Sequence, residues 1–132
     1  MKIYDCFMYN NEKLILDLRL NYLNDYVEKF VIVESRYDHQ GNQKEKLFEI
    51  NDFFEYKNRI VHLLIDHFPT NTSNWEKENF QRNYIINALH DLSDEDYVMI
   101  SDADEIPNLK DFNHNNGYKY TVFKQKNFFY KF

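Results

Sequence analysis

Glycine, cysteine and proline are scarce in this chain, and each shortage excludes something. Gly41 and Gly117 are its two glycines, too few for a P-loop, a GxGxxG dinucleotide turn or a GxSxG nucleophile elbow. A nucleotide bound here must be held by something other than a glycine-rich phosphate cradle. Cys6 is the single cysteine, so an internal disulfide and a CxxC zinc site are excluded. It lies in an apolar stretch and reads as a small core residue. Positive charge is also short, with 16 Lys+Arg against 22 Asp+Glu and a net charge of −6. A phosphate-backbone binder needs the opposite balance, so nucleic acid is not an expected partner. No apolar run approaches the roughly 20 residues of a membrane span. The opening MKIYDCFMYNNEK lacks the apolar region and small-residue cleavage site of a signal peptide, so the expectation is a cytoplasmic chain without a membrane span.

What is present is ordinary globular material: 132 residues, 43% hydrophobic and 18% aromatic, enough for one domain, 1–132, with a real core. Short apolar runs alternate with longer helical stretches. Ile3–Met8, Phe30–Val33, Ile60–Ile65 and Tyr97–Ile100 read as buried strands. Between the first two, Leu14, Ile15, Leu18 and Tyr22 recur at helical spacing, with Asn11 placed to cap the helix. A short helix is expected near Glu49–Tyr56. A long one, about Trp75 to Leu92, carries Phe80, Tyr84, Ile85 and Leu89 on one face, with caps available from Thr72 to Asn74. Tyr118–Phe132 reads as β-rich. The order β-α-β-α-β-α-β predicts an α/β, Rossmann-like, mostly parallel sheet with helices on both faces. In such sheets ligands bind beyond the carboxyl ends of the strands. There the sequence places Asn10-Asn11-Glu12, Glu34, Asp66-His67 and the acidic group Asp102, Asp104 and Glu105.

The acidic group is the strongest signal. Two aspartates one residue apart at a strand exit can aim both carboxylates at one point, where their repulsion is relieved by a cation. Hard divalent ions such as Mn²⁺ or Mg²⁺ favour such oxygen ligands and keep positions open for substrate phosphates. The alternative is a solvated turn that binds nothing. Glu34 reads either as an acceptor for a ribose hydroxyl or as a strand-end charge. Arg82 can pair with phosphate or with a carboxylate. A phosphotransferase of the Asp-x-Asp type fits less well, since its nucleophile would follow the first strand rather than the fourth.

Several stretches together resemble glycosyltransferase family 17, the β-1,4-N-acetylglucosaminyltransferases and their microbial relatives: YDCFMYNNEKLILDLRLNYL, FVIVES, IDHFP, WEKENFQRN, ISDADEIP and NFFYKF. They span nearly the whole chain in the family's order. The resemblance implies a GT-A fold with a nucleotide-sugar and Mn²⁺ (or Mg²⁺) at an Asp-x-Asp motif. Asp102 and Asp104 match that motif as metal ligands. Asn11, Glu12, Glu34, Arg82 and Asp102 are the residues expected near the nucleotide-sugar. It further implies a UDP-sugar donor, N-acetylglucosamine or a related sugar, and inverting transfer to a glycan hydroxyl. In such enzymes the acceptor half, with its general base, follows the Asp-x-Asp strand. The expectation is therefore a donor-binding half, active in a longer enzyme, or else a module that binds UDP and metal without turnover. The aromatic C-terminal strand is expected to mediate self-association or to accept a complementing chain.

Overall fold

The computed structural model describes residues 1–38, 40–110, 112 and 122. Four strands form one sheet: β1 (Ile3–Tyr9), β2 (Lys29–Ser35), β3 (Ile60–Ile65) and β4 (Tyr97–Asp102). Their order is β3-β2-β1-β4 and every pairing is parallel. All four carboxyl ends thus share one edge. The chain builds outward from β1 to β3 and then returns to the other side of β1. That reversal makes the β1–β4 junction the topological switch point, where open α/β sheets form their ligand crevice. The Tyr118–Phe132 reading, and the association expected through it, lie outside the described residues.

Both faces of the interior strands β1 and β2 are covered, as parallel strands require. The outer strands are half-buried, and β4 leaves Ile100 exposed at 49%, less covered than its apolar run suggests because it has a neighbour on one side only. On one face Ile3, Phe7, Phe30 and Ile32 pack with Leu16, Leu20 and Leu23 of helix α1 (Lys13–Leu23) and with Phe53 and Tyr56 of a 3-10 helix, Ile50–Tyr56. On the other, Tyr4, Cys6, Val31 and Val33 meet Phe80, Tyr84, Ile85 and Leu89. The period-two alternation of strand side chains sorts these two sets. Among the described residues, no helix is long and apolar enough to cross a membrane.

Two helices differ from their sequence reading. The stripe Leu14, Leu18 and Tyr22 of α1 is exposed, at 82%, 54% and 50%, while Leu16, Arg19, Leu20 and Leu23 are buried. Leucines lie all round this helix, so periodicity alone could not choose its inner face; a buried arginine does. Asn11 does not cap it either. Glu12 occupies the N-cap without a side-chain cap bond, and Asn11 adopts a left-handed conformation at φ 57°, which asparagine tolerates better than most residues. The long second helix divides into α2 (Asn74–Asn83) and a 3-10 helix, Tyr84–Ala88. Ser73 caps its start: the Glu76 N–H donates to Ser73 Oγ, which in turn donates to Glu76 Oε1.

The face assignment of α1 is testable by denaturant unfolding. Leu20→Ala should cost about 2–5 kcal/mol, as buried leucines do. Leu18→Ala should stay within about 0.5 kcal/mol. Equal losses would mean that α1 is rotated relative to this description.

Candidate functional site

The chain leaves β4 directly into the acidic turn. Asp102 is the last strand residue, in register with Met8, and the next N–H, that of Ala103, still donates to Met8 O at 3.2 Å. The Glu105 N–H then donates to Asp102 O at 3.1 Å, and Glu105 Oε1 accepts from the Asp102 N–H at 3.0 Å. This tight turn places one carboxylate oxygen from each of Asp102, Asp104 and Glu105 within 4.8 Å of one another, all on exposed side chains. Glu12, across the switch point, joins them electrostatically. Partial desolvation raises its pKa above the ordinary carboxylate value, and the charges of Asp104 and Asp102 push it further. Asp102 is raised as well, by desolvation first and then by the charge and hydrogen bond of Glu105; the cation of exposed Arg82 opposes this. A hard, multidentate set of mutually repelling oxygens is what Mg²⁺ or Mn²⁺ coordination requires. The residues present fit such an ion.

Beneath the turn lies Arg19, fully buried. Its Nε donates to Asp5 Oδ2 at 2.8 Å and its Nη2 to Asp5 Oδ1 at 2.6 Å. Nη2 also donates to Ser101 Oγ at 2.7 Å. Nη1 donates to three backbone carbonyls, those of Asp102 (3.1 Å), Ala103 (3.2 Å) and Glu105 (2.8 Å). Phe7 stacks against the guanidinium, 4.5 Å from its ring centroid. Sequence reasoning missed this pair. Its signal was a charged residue inside each of two apolar segments, Asp5 in IYDCFM and Arg19 in LILDLRLNYL, since neither is buried cheaply without the other.

On the same edge of the sheet, a cleft of about 640 Å³ opens over the ends of β1 and β2. Tyr9 and Asn10, Ser35, Lys44, Phe68 and the α2 residue Gln81 contribute to its walls. Gln81 also donates to Val33 O at 3.1 Å, holding α2 against β2. Glu34 points elsewhere. Strand alternation turns it to the α1 face, where it is fully buried. Its Oε1 accepts from the Phe48 N–H at 2.9 Å and lies 3.0 Å from His62 Nε2, while Lys44 Nζ stands 3.8 Å from Oε2. Burial draws the Lys44 pKa down against the pull of Glu34 and Asp38. Of the residues proposed from sequence, Glu12, Asp102, Asp104 and Arg82 thus share one electrostatic neighbourhood. Asn11 forms the turn beside it, and Glu34 is engaged internally.

The model of glycosyltransferase family 17 matches residues 1–132. The chain belongs to this family. The family 17 chain is 29% identical over 116 residues to the human beta-1,4-mannosyl-glycoprotein 4-beta-N-acetylglucosaminyltransferase and equally to the rat protein of that name; the mouse protein is 28% identical. Each alignment covers 80% of this chain and 22% of the relative. The chain therefore spans about a fifth of the length of the curated relatives it matches. No solved structure matches it significantly. Membership gives the parallel α/β sheet and its acidic switch point a family context that the fold alone does not supply.

The crowding of carboxylates has a measurable sign. Raised pKa values at Glu12 and Asp102 mean that the folded protein holds protons the unfolded chain has already released. Stability from these groups is complete at low pH and is lost as pH rises through their raised values. Asp104→Asn in this family 17 chain should therefore stabilise it at about pH 7 by about 0.5 kcal/mol, the scale of exposed charge pairs. The gain should fade as pH falls to about 3, where Glu12 and Asp102 are protonated in both states. Urea midpoints of wild type and variant across that range decide it.

Proposed function

We propose that this chain carries the donor site of a metal-dependent glycosyltransferase. It would hold a UDP-sugar, with N-acetylglucosamine or a related sugar, for inverting transfer to a glycan hydroxyl. The observation that carries the reading is the juxtaposition at one sheet edge of a carboxylate cluster and a nucleotide-sized cleft. Family membership and the names of the N-acetylglucosaminyltransferase relatives support it.

The chemistry of the residues supports a division of labour along that edge. Asp102 and Asp104, with Glu105 beside them, would hold Mn²⁺ or Mg²⁺, which supplies positive charge against a diphosphate and its developing charge as UDP leaves. The cleft has the volume of a small-molecule site. Its mixed lining sets Lys44 and Lys77 beside Asp38 and Glu78 among neutral and aromatic groups, so the lysines are the groups available to phosphates and the aromatic and amide groups to a nucleoside. Arg82 is available as a second cation near Asp102. The scarcity of glycine fits this design, because a cation bridging carboxylate to phosphate needs no backbone cradle.

Calorimetric titration with UDP, with and without Mn²⁺, tests the reading. Wild type should bind UDP in a Mn²⁺-dependent manner, and Asp102→Asn with Asp104→Asn should weaken that binding at least a hundredfold while leaving the unfolding midpoint unreduced. Because protons compete for the raised carboxylates, Mn²⁺ affinity should also rise with pH above the ordinary carboxylate range. Metal-independent UDP binding, or unchanged affinity in the double variant, sinks the assignment. Binding without any transfer to glycan acceptors would favour a donor-binding module instead.

A further inference from the structure

We infer that Arg19 is the positioning residue of the acidic turn, setting the cation affinity of Asp102, Asp104 and Glu105 without touching the ion. The inference rests on the cation site proposed above and adds a residue to it that lies 83 positions from Asp102 in sequence. Three carbonyls of one short turn, those of Asp102, Ala103 and Glu105, converge on a single Nη1, which has two protons to offer. With these carbonyls held by one buried donor and the Ala103 side chain packed into the core, the carboxylates of Asp102, Asp104 and Glu105 are left on the exposed side of the turn. Neither Asp102 nor Glu105 can then rotate its peptide so that a carbonyl replaces its carboxylate at the ion.

Asp5 fixes the other end. The bidentate pair to Nε and Nη2 sets the plane of the guanidinium, and Phe7 closes one of its faces. Asp5 lies mid-strand in β1 and is fully buried, so the reference frame for the turn is the centre of the sheet rather than the loop itself. Ser101 Oγ, accepting from Nη2, registers the last residues of β4 to the same plane. A buried guanidinium needs acceptors for all five of its N–H groups, and these could come from any nearby element. This one spends its remaining donors on the backbone of the segment that bears the carboxylates.

The test separates positioning from folding by using a variant that removes the charge pair as a unit. Arg19→Ala would strand the Asp5 carboxylate and is expected to unfold the chain. Asp5→Leu with Arg19→Met replaces both charges by apolar groups of comparable length, an exchange that buried ion pairs tolerate. Mn²⁺ affinity, measured by electron paramagnetic resonance on the whole chain, should fall about 10–100-fold, the scale found when groups orienting metal ligands are removed. Amide exchange should accelerate at Ala103 and Glu105 but not in β1 or β2. Arg19→Lys keeps the charge yet lacks the fork, and should recover less than half of the lost binding free energy. If wild type binds Mn²⁺ through Asp102 and Asp104 and the apolar double variant, still folded, binds it equally, the positioning role is overturned while the site stands. Should the double variant fail to fold, unaltered Mn²⁺ affinity in folded Arg19→Lys overturns the role in its place. If wild type shows no Mn²⁺ binding that depends on these aspartates, the site and the role fall together.

Discussion

A single buried ion pair, Asp5 with Arg19, joins the three parts on which everything else depends. It ties the central strand β1 to α1, and both to the turn after β4. Desolvating two charges is costly, and their mutual attraction offsets that cost only when the remaining protons are also satisfied. Here all are: the five N–H groups of the guanidinium meet six acceptors, two on Asp5, one on Ser101 and three backbone carbonyls. The strand order follows the same logic. β1 lies beside β4 and is followed by α1, so Arg19 reaches both Asp5 in β1 and the turn that leaves β4.

The edge built this way is intrinsically unfavourable. Four acidic groups from two loops crowd the switch point, and no lysine or arginine forms an ion pair with the turn among the described residues. A protein selected for stability alone would dilute that charge. Here the charge stays crowded while the backbone beneath it is clamped, the arrangement that the proposed cation site would need to stay preorganised against its own repulsion. The clamp and the repulsion are complementary: without the first, the second would splay the turn.

The strands were legible in the sequence because parallel strands covered on both faces read as continuous apolar runs, as FVIV and IVHLLI do. The acidic turn was legible because it interrupts such a run abruptly. What hid was orientation. α1 has leucines on every side, and its true inner face contains an arginine, which a hydrophobic stripe search discards. Glu34 stood at the right strand end, but alternation places it on the α1 face with His62 and Phe48, whereas its neighbour Ser35 reaches the cleft. A parity decision of one residue separates the two outcomes, and it depends on β-register, a long-range property. Where α2 gives way to the 3-10 segment, Tyr84, Ile85 and Leu89 pack against the sheet, a tertiary contact that the helical spacing does not reveal.

The turn between β1 and α1 shows how closely the two halves of the edge are bound together. Asn10 lines the cleft, Glu12 adds its charge to the acidic cluster, and only Asn11 stands between them. Two side chains two positions apart that serve different directions need a sharp turn of the backbone, which a left-handed residue supplies. Glycine would adopt φ 57° most readily, but its freedom would let cleft and cluster move independently. Asparagine accepts the same conformation with fewer alternatives. The turn can therefore be at once sharp and stiff where the cleft meets the charged rim.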